Sequence, residues 1–199
     1  MNFDHLVDID ADQHFYDDNY PSLTGYDGNQ YYNIDTFREN FPVIGREKDI
    51  NILHSNIRSI GGNNGNDLIT YLANLGRQFH IICLTETWVL NDFSIFSELF
   101  PCYRSIHSVR SRSRASGGAS ILIHNDIEII ENDALSMLSC NDENIEIVFA
   151  EIRINNRCIR IGSCYRPPSG NVDCFLDVLQ AKLDILQLNS CDFFFVWGL

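Results

Sequence analysis

From Asp49 onward the apolar residues gather into short runs separated by polar breaks, and the spacing inside each run predicts its element. Asp49–Asn56 (DINILHSN) reads as a buried strand ending in polar residues. Gly61–Gly65 reads as a glycine–asparagine loop, after which Asn66 caps a helix with Leu68, Ile69, Leu72 and Leu75 on one face. His80–Thr85 (HIICLT) is a second buried strand, followed by a loop over Glu86–Asn91. Tyr103–Ile106 is a short strand, and a Ser/Arg-rich connector leads to another at Gly118–His124. Ile145–Ile154 and Arg157–Cys164 form a hairpin turning at Asn155-Asn156, a pair that tolerates positive φ. Asn171–Leu188 is a helix carrying Val172, Phe175, Leu176, Leu179, Leu183 and Leu186 at helical spacing, and Asp192–Trp197 (DFFFVW) is a last strand. Hairpins mixed with helical crossovers give a mixed α/β fold, with two sheets face to face and helices outside. No internal repeat is present.

Residues 1–48 have another texture, rich in Asp, Asn and Tyr and poor in aliphatics, and read as an acidic, disordered leader before a domain spanning 49–199. Charge follows that division. Residues 1–50 hold eleven acids and three bases, a net of −8, and the remainder sixteen acids and eleven bases, a net of −5. The overall −13 therefore belongs mostly to the leader and does not exclude a nucleic-acid partner for the domain. No apolar run is long enough to span a membrane, and the acidic N-terminus fits neither a signal peptide nor a mitochondrial presequence. An intracellular chain is expected, nuclear where it functions. The seven cysteines are odd in number and lack CxxC spacing; Cys83, Cys158, Cys164 and Cys191 lie in apolar runs and read as small buried hydrophobes.

Three polar residues stand where predicted strands end: Asn56, Glu86 and Tyr165. Strand ends are where loops present side chains over a rigid base. A carboxylate, a carboxamide and a phenol there can hold a hard cation and a phosphate: Glu86 on Mg²⁺, Asn56 on a phosphate oxygen or a metal-bound group, Tyr165 on charge developing at the phosphoryl oxygens. Taken alone, each is more often an ordinary exposed loop or strand-end residue. His107 and His124 read as surface or strand-end residues.

The blocks LHSNIRSI, ICLTETW, GGASILI and IGSCYRPP, in this order, resemble the endonuclease domain of non-LTR retrotransposons, within the endonuclease/exonuclease/phosphatase superfamily. The resemblance runs from about Asp49 to the C-terminus. It implies a four-layer α/β/β/α sandwich and Mg²⁺- or Mn²⁺-dependent hydrolysis of DNA phosphodiesters, nicking target DNA for retrotransposition. Asn56 matches the family's first active-site asparagine, Glu86 its metal-binding glutamate and Tyr165 the tyrosine on the scissile phosphate; Asn56 and Glu86 form the implied metal set. In the family an Asp and an Asn in a Gly-Asp-x-Asn block position the attacking water, and a Ser-Asp-His block completes the site.

The strand DFFFVW runs here into Gly198-Leu199, where the Gly-Asp-x-Asn block would follow, and no Ser-Asp-His block occurs. The expectation is therefore a C-terminally truncated, inactive domain, whose parent would carry a reverse transcriptase. Arg58, Arg104, Arg110, Arg112, Arg114 and Arg166 are candidates for DNA phosphates, with a solvated connector as the other reading of the Ser/Arg stretch. Two other functions stay open: a non-enzymatic remnant acting as a nucleic-acid- or protein-binding module, and, within the same fold, a phosphatase or phosphodiesterase on inositol phosphates or sphingomyelin.

Overall fold

The computed structural model describes residues 33–40, 50–90, 92–108, 116–187 and 191–198. Two sheets form its centre. The first has the order β1-β2-β4-β3, from β1 (Ile52–Asn56), β2 (Ile81–Thr85), β3 (Tyr103–His107) and β4 (Ala119–His124). The second has the order β5-β7-β8-β9, from β5 (Glu128–Ile130), β7 (Glu146–Ile154), β8 (Arg157–Tyr165) and β9 (Asp192–Gly198), with the short β6 (Cys140–Asn141) also on β7. Each sheet contains one parallel pair. β1 lies parallel to β2 through helix α2 (Asn63–Leu75), and β8 parallel to β9 through α5 (Val172–Gln187). A parallel pair needs such a crossover, which accounts for a helical pattern between those strands. The β7–β8 turn has Asn155 at φ 50° and Asn156 at φ 62°, the paired left-handed residues of a two-residue hairpin, as the sequence predicts.

Three apolar layers join the elements into the expected α/β/β/α sandwich. Leu53, Leu68, Leu75, Ile82, Leu84 and Phe96 pack between the first sheet and its helices, α2 and α3 (Ser94–Leu99). Ile81, Cys83, Ile121, Val148, Ile159 and Val196 fill the space between the sheets. Ile147, Phe149, Phe175 and Leu186 join the second sheet to α5 and α4 (Asp133–Leu138). β2 is buried at all five positions because it meets a sheet on one face and helices on the other. That double cover is the reason HIICLT reads as a continuous apolar run.

The structure departs from the sequence reading in several places. Within the expected leader, α1 (Ile34–Asn40) forms and buries Phe37 against the outer layer of the first sheet. Asn33 caps it by accepting from the Thr36 amide at 2.9 Å, and the Arg77 guanidinium lies over the Phe37 ring. The rest of 1–48 lies outside the described residues. α2 starts inside the expected loop, at Asn63. A Cβ on Gly65 would stand 2.3 Å from the Ile60 carbonyl oxygen, so only glycine lets the helix sit this close to the preceding turn. Asn64, one residue before, donates to the Ile57 and Arg58 carbonyls at 3.0 and 2.9 Å. The short elements α3, α4, β5 and β6 carry too few residues for a period to be read. Cys83 and Cys164 are buried as expected, whereas Cys158 and Cys191 are half-exposed neighbours.

Candidate active site

The carboxyl ends of the two parallel pairs meet at one edge of the sandwich. In the first sheet Asn56 is paired with Thr85, and its carboxamide Nδ2 donates to Glu86 Oε1 at 3.1 Å. In the second, Tyr165 is paired with Gly198 on one side and Glu146 on the other. The sheets touch here: a Cβ on Gly198 would stand 2.5 Å from Thr85 Oγ1, so glycine is required for β9 to close onto β2. By strand alternation Asn56, Thr85 and Tyr165 fall on the same inter-sheet faces as Ile52, Cys83 and Ile161. Apolar residues fill that layer along most of its length, and polar ones take over at this end. Thr85 Oγ1 and Ser163 Oγ are buried without a hydrogen-bond partner among the described residues, the polar remainder of an otherwise greasy layer.

The backbone that carries Glu86 is unusual. Glu86 has φ 54° and Trp88 φ 56°, left-handed values that cost a side-chain-bearing residue about 1–3 kcal/mol each unless the surroundings impose them. The surroundings do. On one side the Ser59 amide donates to the Glu86 carbonyl at 2.7 Å and the Ile60 amide to the Thr87 carbonyl at 2.9 Å. On the other, the Trp88 amide donates to the Gly117 carbonyl at 2.8 Å and the Thr87 amide to the Gly118 carbonyl at 3.4 Å. Gly117 and Gly118 both sit at φ 103°, a region open to glycine. Behind them lies Glu146, only 1% exposed, whose Oε2 accepts from the Gly118 amide. A buried carboxylate thus backs a glycine pair, the glycine pair backs the loop, and the loop fixes Glu86. Sequence reading passed over Glu146. Its signal was a lone acid between Ile145 and Ile147, in phase with the inward residues Val148 and Ala150.

The arginine candidates separate. Arg58 is exposed at φ 45° two residues after Asn56, and the Arg166 amide donates to the Gly198 carbonyl at 3.2 Å, so both flank the site. Arg104 does not: it is paired with Ile123, itself opposite Ile81, at the far end of the first sheet, and its guanidinium bonds the Ile127 carbonyl. Arg104 is thus set apart from Arg58 and Arg166. Arg110, Arg112 and Arg114 lie outside the described residues. A cleft of about 420 Å³ lies beside the site, lined by Ser59, Gly61, Thr87, Trp88, Val89 and Asp92 among others. His107 is the last residue of β3, the strand-end position the sequence suggests, and is half-buried. It stacks on Phe93 at 4.1 Å and is hydrogen-bonded by Ser105 and Ser120, and burial pulls its pKa down to about 4.

The donor set fits a hard cation. One carboxylate with a carboxamide beside it, all oxygen and nitrogen and no thiol, matches Mg²⁺ or Mn²⁺, which take few protein ligands and keep several waters. Glu86 is the residue that would hold the ion, with Asn56 orienting its carboxylate.

No known family pattern matches the chain, and no curated protein does. Solved structures do. The endonuclease domain of TRAS1, a telomere-specific non-LTR retrotransposon, is similar with a TM-score of 0.54 at 16% identity over 74% of this chain. The catalytic domain of human Nocturnin, solved with a sulfate anion, gives 0.53 at 16% over 74%. An endonuclease/exonuclease/phosphatase family protein from Bacteroides thetaiotaomicron gives 0.54 at 12%, also over 74%. The chain spans 59%, 62% and 62% of those three structures' own lengths. Layer order, sheet topology and these likenesses agree: the chain has the endonuclease/exonuclease/phosphatase-type fold.

Proposed function

We propose that this chain supplies the metal-holding and phosphate-facing part of a Mg²⁺-dependent site that hydrolyses DNA phosphodiesters, as in a retroelement endonuclease. The observation that carries the reading is the Asn56–Glu86 hydrogen bond, set in a left-handed loop at the edge where Tyr165 ends β8. In this reading Glu86 holds the cation and Asn56 fixes the carboxylate. The Tyr165 hydroxyl donates to a non-bridging phosphoryl oxygen, a position in which hydrogen bonding favours the transition state over the ground state. Arg58 and Arg166 meet neighbouring phosphates and give a salt-dependent affinity. Mg²⁺, when bound, supplies Lewis-acid polarisation of the phosphodiester.

The groups that the family resemblance assigns to water activation, in the Gly-Asp-x-Asn and Ser-Asp-His blocks, do not occur in these 199 residues. Each absent acid–base group is worth about 10²–10⁴-fold in rate, so these residues alone should bind metal and DNA while nicking at a rate near background. Support for DNA over a smaller phosphate ester comes from the arginines flanking the site, and from D. rerio TDP2, a neighbour of TM-score 0.51 and 12% identity, solved with a single-strand DNA product.

Mn²⁺ titration followed by electron paramagnetic resonance tests the reading. The chain should bind one ion that Glu86→Gln weakens by about tenfold or more. DNA retention should fall with added salt in both. Equal Mn²⁺ affinity in the two proteins would refute Glu86 as the holder, and retention of inositol phosphates in place of DNA would redirect the substrate class.

A further inference from the structure

Away from the site, β8 and β9 begin with two thiols side by side. Ile159 is paired with Asp192, so Cys158 and Cys191 are the residues one step earlier on neighbouring strands. Their sulfurs lie 2.7 Å apart, and both residues are half-exposed. Adjacent strands run about 4.7–4.9 Å apart, inside the 4.4–6.8 Å Cα separation a disulfide accepts, and closing the bond needs the sulfurs to approach by only about 0.7 Å. Of the other five cysteines, Cys83 and Cys164 are fully buried and Cys102 and Cys174 are exposed, while Cys140 is half-buried beside Lys182.

Glu151 also lies beside the pair, and the three could be read as metal ligands. The carboxylate argues against it. Glu151 Oε2 accepts from Arg160 Nε at 2.8 Å and from Asn132 Nδ2 at 3.0 Å, so a divalent cation there would face a buried guanidinium.

We propose that Cys158 and Cys191 are a modification site, oxidised to a disulfide by a low-molecular-weight disulfide such as oxidised glutathione. Cys191 makes the first attack: its thiolate bonds one glutathione sulfur, the glutathione S–S bond breaks, and one glutathione thiolate leaves. Cys158, having given up its proton, then attacks the Cys191 sulfur of the mixed disulfide and expels the second glutathione. Two protein thiols lose two electrons and two protons, and one glutathione disulfide is reduced to two thiols. Burial, the hydrogen bond with Cys191 and the nearby Glu151 charge push the Cys158 thiol up to about 12, which makes it the slower nucleophile. The bond would tie the start of β9 to β8, at the opposite ends of the strands from Tyr165 and Gly198.

The test is oxidation of the full chain with glutathione disulfide under native conditions, maleimide blocking of remaining thiols, and non-reducing peptide mass spectrometry. The expected result is one linked pair, Cys158 to Cys191, with two maleimide adducts lost and both restored by dithiothreitol. Cys158→Ser and Cys191→Ser should each abolish the link, the first leaving one glutathione on Cys191 and the second leaving Cys158 largely unmodified. Two results would overturn the proposal. One is persistent labelling of both residues while Cys102 and Cys174 take up glutathione. The other is an equal yield of the same link in urea, which would show that the fold does not select it.

Discussion

Glu146 offers the sharpest test of how the site is held. Replacing it with Gln keeps the shape and removes the charge. The carboxylate is 1% exposed and accepts from the Gly118 amide, so water cannot take over the bond when it weakens. A hydrogen bond to a charged group contributes about 1.5–3 kcal/mol, and a buried donor left poorly matched costs about 1–3 kcal/mol. Taken together, without counting the same bond twice, a loss of about 2–3 kcal/mol is expected. For a chain of this size that is a drop of roughly 5–10 °C in Tm. The damage should be local as well as global. Gly117 and Gly118 accept the amides that hold Thr87 and Trp88, and the left-handed Glu86 depends on that support. Mn²⁺ affinity should therefore fall by about tenfold, as it does when an outer partner of a metal ligand is removed. Glu128→Gln is the matched control, because its partner Arg153 is half exposed and such pairs are worth about 0.2–1 kcal/mol. Thermal melts by circular dichroism and the Mn²⁺ titration read both effects. If Glu146→Gln and Glu128→Gln melt within 0.5 kcal/mol of each other, and both bind Mn²⁺ like the parent, the chain of support from Glu146 to Glu86 does not exist.

Other outcomes follow from the same geometry. Gly198→Ala places a methyl group 2.5 Å from Thr85 Oγ1 and should cost about 1–3 kcal/mol, read as an earlier urea midpoint; a neutral result would mean that β9 is not seated on β2. His107 is held neutral with a pKa of about 4 against an ordinary 6.5, so the unfolded chain binds the extra proton between those values. Stability should rise with pH across that window and be lost on acidification through it, by about 1–2 kcal/mol after allowing for partial exposure. His107→Gln should flatten that part of a stability–pH curve, and an unchanged slope would assign the acid lability to other groups.

The sequence carried the long elements and the site's nearest residues because both leave local marks. HIICLT is continuous because β2 is covered twice, and the hairpin at Asn155-Asn156 is set by two residues that accept positive φ. Asn56, Glu86 and Tyr165 were legible as polar residues ending apolar runs. What escaped depends on distance in space. Gly65 looked like a loop residue, because the Ile60 carbonyl pressing on it cannot be seen in composition. Phe37 is one aromatic in an acidic stretch, and only the neighbouring face of α2 gives it a place to be buried. Glu146 resembled any strand carboxylate until the glycine pair, 28 residues away, supplied its partner. Arg104 runs the other way, close in sequence to the basic stretch while β3 seats it at the end of the first sheet away from Asn56.

The two parallel pairs also divide the molecule by direction. Because β1 runs with β2 and β8 with β9, Asn56, Glu86 and Tyr165 all stand where a strand ends. The amino ends hold the turn at Gly76–His80 before β2, and the thiol pair Cys158 and Cys191 at the start of the other pair. A bond between Cys158 and Cys191 would form seven residues along β8 from Tyr165. The same polarity stacks the loops of the carboxyl edge on one floor of paired strands, so a change at Glu146 or Gly198 is felt by stability and by the site together.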